Sequence, residues 1–294
     1  MISVLHISDT HFLRFYEARG GAGVVGASAY DRMLWAMGDV TGGLREALAR
    51  GCAGGVDLVV FTGDLTDDGD VDDYRALRAT FDEALADAGA ASVPVLVTPG
   101  NHDHVDALRA GWFGAASSAQ TAGRVQAATD APLAPQVALV GGVAFVTFDS
   151  TRFGYADGYV DEGRIAQFDA ALAALPAGTP VVLATHHHLD AGQFATPAVA
   201  CPDAFWDCLA AHGVRTLLTG HTHHQAHGVV HGIPYYTADG LSFQGDNLHG
   251  RAGVGFTRAW GFNRYDVDAS GLVRHAQAHT FTDGRSLGEV IFAR

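Results

Sequence analysis

Six short runs of Val, Leu, Ile and Phe recur along the chain. They are "ISVLHI" from residue 2, "DLVVFT" from 57, "VPVLVT" from 93, "VAFVTF" from 143, "PVVLAT" from 180 and "VRTLLT" from 214. Each gives way to polar residues or Gly, the pattern of strands buried on both faces. Helical spacing fills the intervals. Leu34, Met37, Leu44 and Leu48 form one stripe that stops at Gly51, and Tyr74, Leu77, Phe81 and Leu85 form another behind "DVDD". Ile165, Phe168, Leu172 and Leu175 follow between Asp161 as N-cap and Pro176 as stop, and Phe205, Cys208 and Leu209 make a short stripe ending at Gly213. Strand and helix in alternation predict an α/β sandwich. From about residue 226 the helical signal vanishes. "AHGVVHGIPYYTADG" and "NRYDVDASGLVRHAQAHTF" read as hairpin strands with Gly-rich turns. No linker, repeat or low-complexity tract interrupts the chain. The expectation is one domain over 1–294, with a motif-bearing α/β part (1–225) and a mostly β part (226–294) of the same sandwich. Residues 14–30 and 104–136 look irregular and follow strand ends, where binding loops are expected.

Composition narrows the partners. The 294 residues are 48% hydrophobic, enough for a sizeable core. With 32 acidic against 18 basic residues the formal net charge is −14. That balance disfavours an extended nucleic acid or an anionic membrane as partner. The three cysteines (Cys52, Cys201 and Cys208) form no CxxC and imply no disulfide framework, so they read as small buried residues in a reducing compartment. The opening strand has no signal-peptide pattern, and no run approaches the roughly 18 apolar residues that span a membrane. These features predict a cytoplasmic protein.

Histidine changes the picture. There are 16, clustered as "THHHL" at 185–189 and "GHTHHQAH" at 220–227. Five strand exits carry ligand-type residues: Asp9 and His11; Asp64; Asn101, His102 and Asp103; His186, His187 and His188; and His221, His223 and His224. In sheets of this class the carboxyl ends of strands converge on the edge where ligands bind. Asp, Asn and His together make a mixed N/O donor set, which suits Mn, Fe, Zn, Co or Ni better than Mg or Ca.

At this point the chain resembles the calcineurin-like metallophosphoesterases. Their pattern runs D-x-H, G-D, G-N-H-D or G-N-H-E, H, then G-H-x-H. Here it stands in order as Asp9-Thr10-His11, Gly63-Asp64, Gly100-Asn101-His102-Asp103, His186 and Gly220-His221-Thr222-His223. The resemblance implies a four-layer αββα sandwich of two mixed β-sheets flanked by helices, and two divalent or trivalent transition-metal ions, with Mn, Fe or Zn foremost. It implies that Asp9, His11 and His223 hold one ion, Asn101, His186 and His221 the other, and that Asp64 bridges them together with a hydroxide that attacks phosphorus. Two carboxylates and a hydroxide against two divalent ions leave the site near +1. An Asp at 101 would cancel that charge, whereas the Asn101 amide ligates without doing so. His102 is the implied proton donor to the leaving oxygen, and Asp103 either orients His102 or shapes the turn. Where the family commonly has H-x-P or H-H-P this chain has "HHHL", so His187 and His188 stay beside His186 as candidates.

Length, motif set and the absent signal pattern resemble the bacterial class III cyclic-nucleotide phosphodiesterases, which implies a small phosphate-ester substrate. A broad-specificity phosphodiesterase or phosphomonoesterase, including the glycerophosphodiester type, is the alternative. A non-catalytic scaffold on the same fold is the alternative of another class, although no block of the pattern is broken. A homo-oligomer is left open. His104, His224 and His227 read as loop or surface residues, His6 as a strand residue facing into the sheet, and Asp67 to Asp73 as a solvated acidic run at a helix start. Arg14 is a minor candidate for a phosphate contact.

Overall fold

The computed structural model describes residues 1–15, 28–114, 132–194, 196, 198–248 and 253–291. Most of the two loop segments singled out above (16–27 and 115–131), together with His249, lies outside them.

The six apolar runs form β1 (Ile2–Ile7), β2 (Leu58–Thr62), β3 (Val95–Thr98), β5 (Val143–Phe148), β6 (Val181–Thr185) and β7 (Val214–Thr219). An edge strand β4 (Val137–Val140) precedes β5. The C-terminal part supplies β8 (Ala226–Val230), β9 (Ile233–Thr237), β10 (Gln244–Asn247), β11 (Gly253–Val267) and β12 (Val273–Ile291). Two mixed sheets result. The first runs β10-β11-β1-β2-β3 with β12 also on β11, and the second runs β4-β5-β6-β7-β9-β8. Strands β1, β2 and β3 are mutually parallel, as are β5, β6, β7 and β9, while β4, β8, β10, β11 and β12 pair antiparallel.

Burial on both faces follows from the layering. Val4, Leu58, Val60, Val143, Phe145, Val182 and Leu218 form a core between the sheets. Their neighbours one residue along, such as Leu5, Val59 and Phe61, face a second core under α1 (Ala29–Met37), α2 (Thr41–Gly51), α3 (Val71–Asp87) and α4 (Val105–Gly111). Ala144, Val146 and Leu183 face a third under α5 (Glu162–Ala173) and α6 (Asp203–Ala211). Side chains alternate along a strand, so each apolar run feeds two cores at once. Helix, sheet, sheet and helix are therefore stacked as four layers.

Two elements differ from the pattern-based expectation. The stripe from Leu34 to Leu48 is two helices. Gly38 turns the backbone to φ +70°, and the Asp39 carboxylate accepts the Thr41 N–H at 2.9 Å, starting α2 afresh. The apolar spacing bridges the break because both helices lie on one core. Within 104–136 there is a seven-residue helix, α4, capped by His104, whose Nδ1 accepts from the Ala107 N–H at 3.4 Å. Two turns are too short to carry a periodic signal.

Candidate metal and active site

All five motif blocks leave the carboxyl ends of β1, β2, β3, β6 and β7, so both sheets contribute to one edge. The chain bends sharply there. Six described non-glycine residues have positive φ, and five of them are Asp9, His11, Asp64, His221 and His223. The sixth, His231, sits in the β8–β9 turn. Left-handed backbone costs an ordinary residue of order 1 kcal/mol or more and gathers at functional sites. The motif glycines have a steric reason. A Cβ at Gly63 would lie 2.6 Å from His186 Nδ1, and one at Gly100 would collide with the Asp64 carboxylate.

Asp64 sits at the centre. Its Oδ2 is 3.5 Å from His11 Nε2 and 3.4 Å from His186 Nε2. On one side, His11 Nε2 is 3.1 Å from His223 Nε2, and His223 Nε2 is 3.4 Å from Asp9 Oδ1. On the other, His186 Nε2 is 3.2 Å from both Asn101 Oδ1 and His221 Nδ1. Ligand atoms of Asp9, His11 and His223 all lie within 4.8 Å of one another, as do those of Asp9, Asp64 and His186. His186, His187 and His221 form a further such group. Of the three consecutive histidines, His186 is the one that meets Asp64 and Asn101. His187 Nδ1 pairs with the Ser150 hydroxyl at 2.9 Å, and His188 Nε2 donates to the Thr196 carbonyl at 3.2 Å.

The hydrogen bonds fix which ring nitrogens face inward. A carbonyl only accepts, so His186 Nδ1 carries the proton it gives to Thr62 O at 2.7 Å, and His223 Nδ1 the one it gives to Phe243 O at 3.0 Å. His11 Nδ1 donates to Asp67 Oδ1 at 3.0 Å. With each ring neutral, its Nε2 lone pair points at other lone pairs, an arrangement that a cation between them, a metal ion or a proton, resolves. His221 Nε2 is buried with no partner. The donor set therefore fits metal ions. The titration behaviour agrees. Burial holds the His221 and His223 imidazoles well below their usual range, in the neutral form that ligates. Burial also opposes a proton on His186, but Asp64 outweighs it and raises that imidazole to about 9. Burial raises Asp9 to about 6, against the pull of His186. For Asp64 the His186 and His102 charges overcome burial and hold the carboxyl well below its usual range. The pocket draws in positive charge.

His102 lies at the rim, its side chain 28% exposed. Its backbone N–H donates to Asp64 Oδ1 at 2.8 Å. Its Nδ1 faces Asp67, 3.0 Å from the carbonyl and 3.3 Å from the carboxylate. Asp103 is fully buried and points elsewhere. It accepts from Gly100 N at 2.8 Å, from Leu65 N at 3.1 Å and from the Tyr74 hydroxyl at 2.7 Å, so it shapes the turn. Burial and then Asp64 raise its carboxyl to about 6.

Asp67 departs from the solvated run expected of it. It is 7% exposed and is held by His11, His102 and the Tyr30 hydroxyl at 2.6 Å. Burial opposes its ionisation, yet the His11 hydrogen bond and the His102 charge keep its carboxyl below the usual range. The signal available in the sequence was its position three residues after Asp64, on the same strand exit. Asp73 is also buried, and Asp70 caps α3. Arg14 is engaged by Asp73 at 2.6 Å and Asp70 at 3.2 Å, away from any phosphate role. His6 is buried against the Thr62 hydroxyl at 2.9 Å, as expected of a residue facing into the sheet. His224 stacks on Phe194, and His227 lies exposed on β8. A cavity of about 620 Å³ opens between the α5–β6 and α6–β7 turns, at the end of the sheet opposite this chemistry.

The family described as calcineurin-like phosphoesterase matches residues 2–225. The chain is 30% identical over 250 residues to a cAMP/cGMP dual specificity phosphodiesterase from Mycobacterium tuberculosis, covering 83% of this chain and 68% of that one. It is 28% identical over 257 residues to a probable cyclic nucleotide phosphodiesterase from Rhodococcus erythropolis, covering 83% and 72%. Among solved structures, a dimetal phosphatase from Danio rerio superposes with TM-score 0.52 at 15% identity, over 96% of this chain and 98% of that one, which shows the fold alone.

Proposed function

Because the chain belongs to the calcineurin-like phosphoesterase family and is a phosphoric ester hydrolase, we propose that it opens small phosphodiesters, 3′,5′-cyclic nucleotides foremost, at a centre for two transition-metal ions. The observation that carries this reading is the single oxygen of Asp64 that faces His11 on one side and His186 on the other at nearly equal distance. Asp9, His11 and His223 are the ligands assigned to one ion, Asn101, His186 and His221 to the second, with Asp64 between. Two such ions, Mn, Fe or Zn foremost, would supply positive charge for the phosphoryl oxygens and would acidify bound water toward neutral pH.

The chain's own groups do the rest. The His221 N–H holds Asp9 at 3.0 Å and the His102 N–H holds Asp64 at 2.8 Å, which keeps both carboxylates aimed. Asp67 orients His11 and His102 together. Its carbonyl and carboxylate hold His102 through Nδ1, which leaves Nε2 as the atom that passes a proton to the leaving oxygen. Asn101 supplies an amide oxygen in place of a carboxylate, so the pocket keeps net positive charge for an anionic ester. The reading treats 1–294 as one domain, because β10, β11 and β12 complete the sheet that begins with β1. The cysteines Cys52, Cys201 and Cys208 are free, which suits a cytoplasmic setting.

The substrate class is tested with Mn-loaded protein on 3′,5′-cyclic AMP, 2′,3′-cyclic AMP, a nitrophenyl diester, a nitrophenyl monoester and glycerophosphodiesters. Preference for 3′,5′-cyclic AMP supports the reading. Equal use of all diesters keeps the chemistry and removes the cyclic-nucleotide assignment, and preference for the monoester overturns it.

A further inference from the structure

The stretch after β5 carries an unusual surface. Arg152, Phe153, Tyr155 and Tyr159 are all exposed, at 43% for Phe153 and 54% for Tyr155. Exposed aromatic rings gathered in so short a span mark binding surfaces more often than filler. Their support is unusually firm. Asp149, Ser150 and Thr151, just before them, are buried. The buried Arg164 guanidinium donates to the carbonyls of Asp149 at 2.7 Å and Thr151 at 2.8 Å. Ser150 Oγ pairs with His187 Nδ1, and Tyr159 N donates back to Ser150 O at 2.7 Å, closing the loop. A tight turn from Arg152 to Tyr155 is closed by Tyr155 N donating to Arg152 O at 3.0 Å.

That turn is fastened to the reactive edge. Gly154 N donates to the carbonyl of Asn101 at 2.8 Å. The Phe153 ring meets His104 edge to face, with centroids 5.2 Å apart. Arg152 adds charge. Its guanidinium lies 3.8 Å from the centroid of Tyr155 and 5.7 Å from that of Tyr159, and among the described residues no carboxylate pairs with it. In a chain of net charge −14, an unpaired cation stacked on aromatic rings, in a turn whose Gly154 N–H is tied to the Asn101 carbonyl, calls for an anionic ligand with a planar ring.

We propose that the Arg152–Tyr155 turn is the binding subsite for the ring-bearing half of the substrate, with the nucleobase laid against the Tyr155 and Phe153 rings and Arg152 backing the Tyr155 ring. The proposal rests on the nucleotide reading given above for its ligand class. Rings stack on any base, and a guanidinium adds cation–π and ionic attraction. The subsite therefore sets affinity for the base while the groups around Asp64 handle the phosphorus.

The test compares adenosine 5′-monophosphate with ribose 5-phosphate, which keeps the phosphate and lacks the base. Both are titrated by calorimetry into Mn-loaded full-length protein. The wild type is expected to bind the nucleotide about tenfold or more tightly than the sugar phosphate. Tyr155→Ala and Arg152→Ala should each shrink that ratio, while Tyr155→Phe, which keeps the ring, should preserve it. Equal affinities in the wild type overturn the proposal. So does an unchanged ratio in both alanine variants, or a loss that falls equally on the two ligands. The readout needs no turnover. If cyclic AMP is not hydrolysed but the ratio stands and collapses in the variants, the assigned reaction fails and the subsite survives.

Discussion

The residues around Asp64 divide into those that would touch the ions and those that aim them, and each class has its own expected behaviour. Asn101→Ala or His221→Ala removes a ligand and should lower kcat by about a hundredfold or more, with the circular dichroism spectrum unchanged because the sheets do not depend on either side chain. Near-normal activity in either variant contradicts the assignment. His102→Ala should lower kcat by about 10²-fold to 10⁴-fold, the range for a lost general acid, while the metal-binding isotherm stays the same. Asp67→Asn should instead weaken metal binding by about 10- to 100-fold, because the neutral amide no longer fixes the His11 tautomer. Calorimetric metal titration separates the two. The residues gathered around Asp64 were legible in the sequence because each block names its own chemistry. Asp67 was not, since nothing in an acidic run says which carboxylate the fold will bury. Asp103 was open in the sequence between orienting His102 and shaping the turn; the fold gives it the turn and sets Asp67 against His102.

At the scale of elements, strands β1, β2, β3, β5, β6 and β7 were readable because a strand buried on two faces is apolar at nearly every position. The α1–α2 break was not, because one core continues across it, and α4 is too short to show a period. β1 also carries a buried cost. His6 is fully buried and burial lowers its imidazole to about 3. The unfolded chain has the ordinary value near 6.5 and so binds a proton that the folded state refuses. Stability is therefore complete above about pH 6.5 and falls as pH drops toward 3. At pH 5 the loss from this group is about 2 kcal/mol, taken from the separation between pH 5 and the unfolded value. In metal-free protein His6→Gln should flatten the fall of Tm between pH 7 and 5. Equal slopes for variant and wild type would show that His6 is not the acid-sensitive group.

For the whole molecule, the site joins two sheets that elsewhere meet mainly through apolar packing. Asp9, His11, Asp64 and Asn101 leave the first sheet, and His186, His221 and His223 leave the second. Metal held by these residues would tie the sheets together and favour only the folded chain. At free metal near a thousand times Kd, each ion stabilises by about 4 kcal/mol. Chelation should lower Tm by several degrees, and re-addition of Mn should restore it. No described helix is long and apolar enough to cross a membrane. The most direct test of the two-ion account is a titration of metal-free protein with Mn, reading bound metal and hydrolysis of 3′,5′-cyclic AMP on the same samples. The account predicts activity that climbs to a plateau as the second equivalent binds, with little at the first. Full activity at one equivalent, or with none, would contradict it.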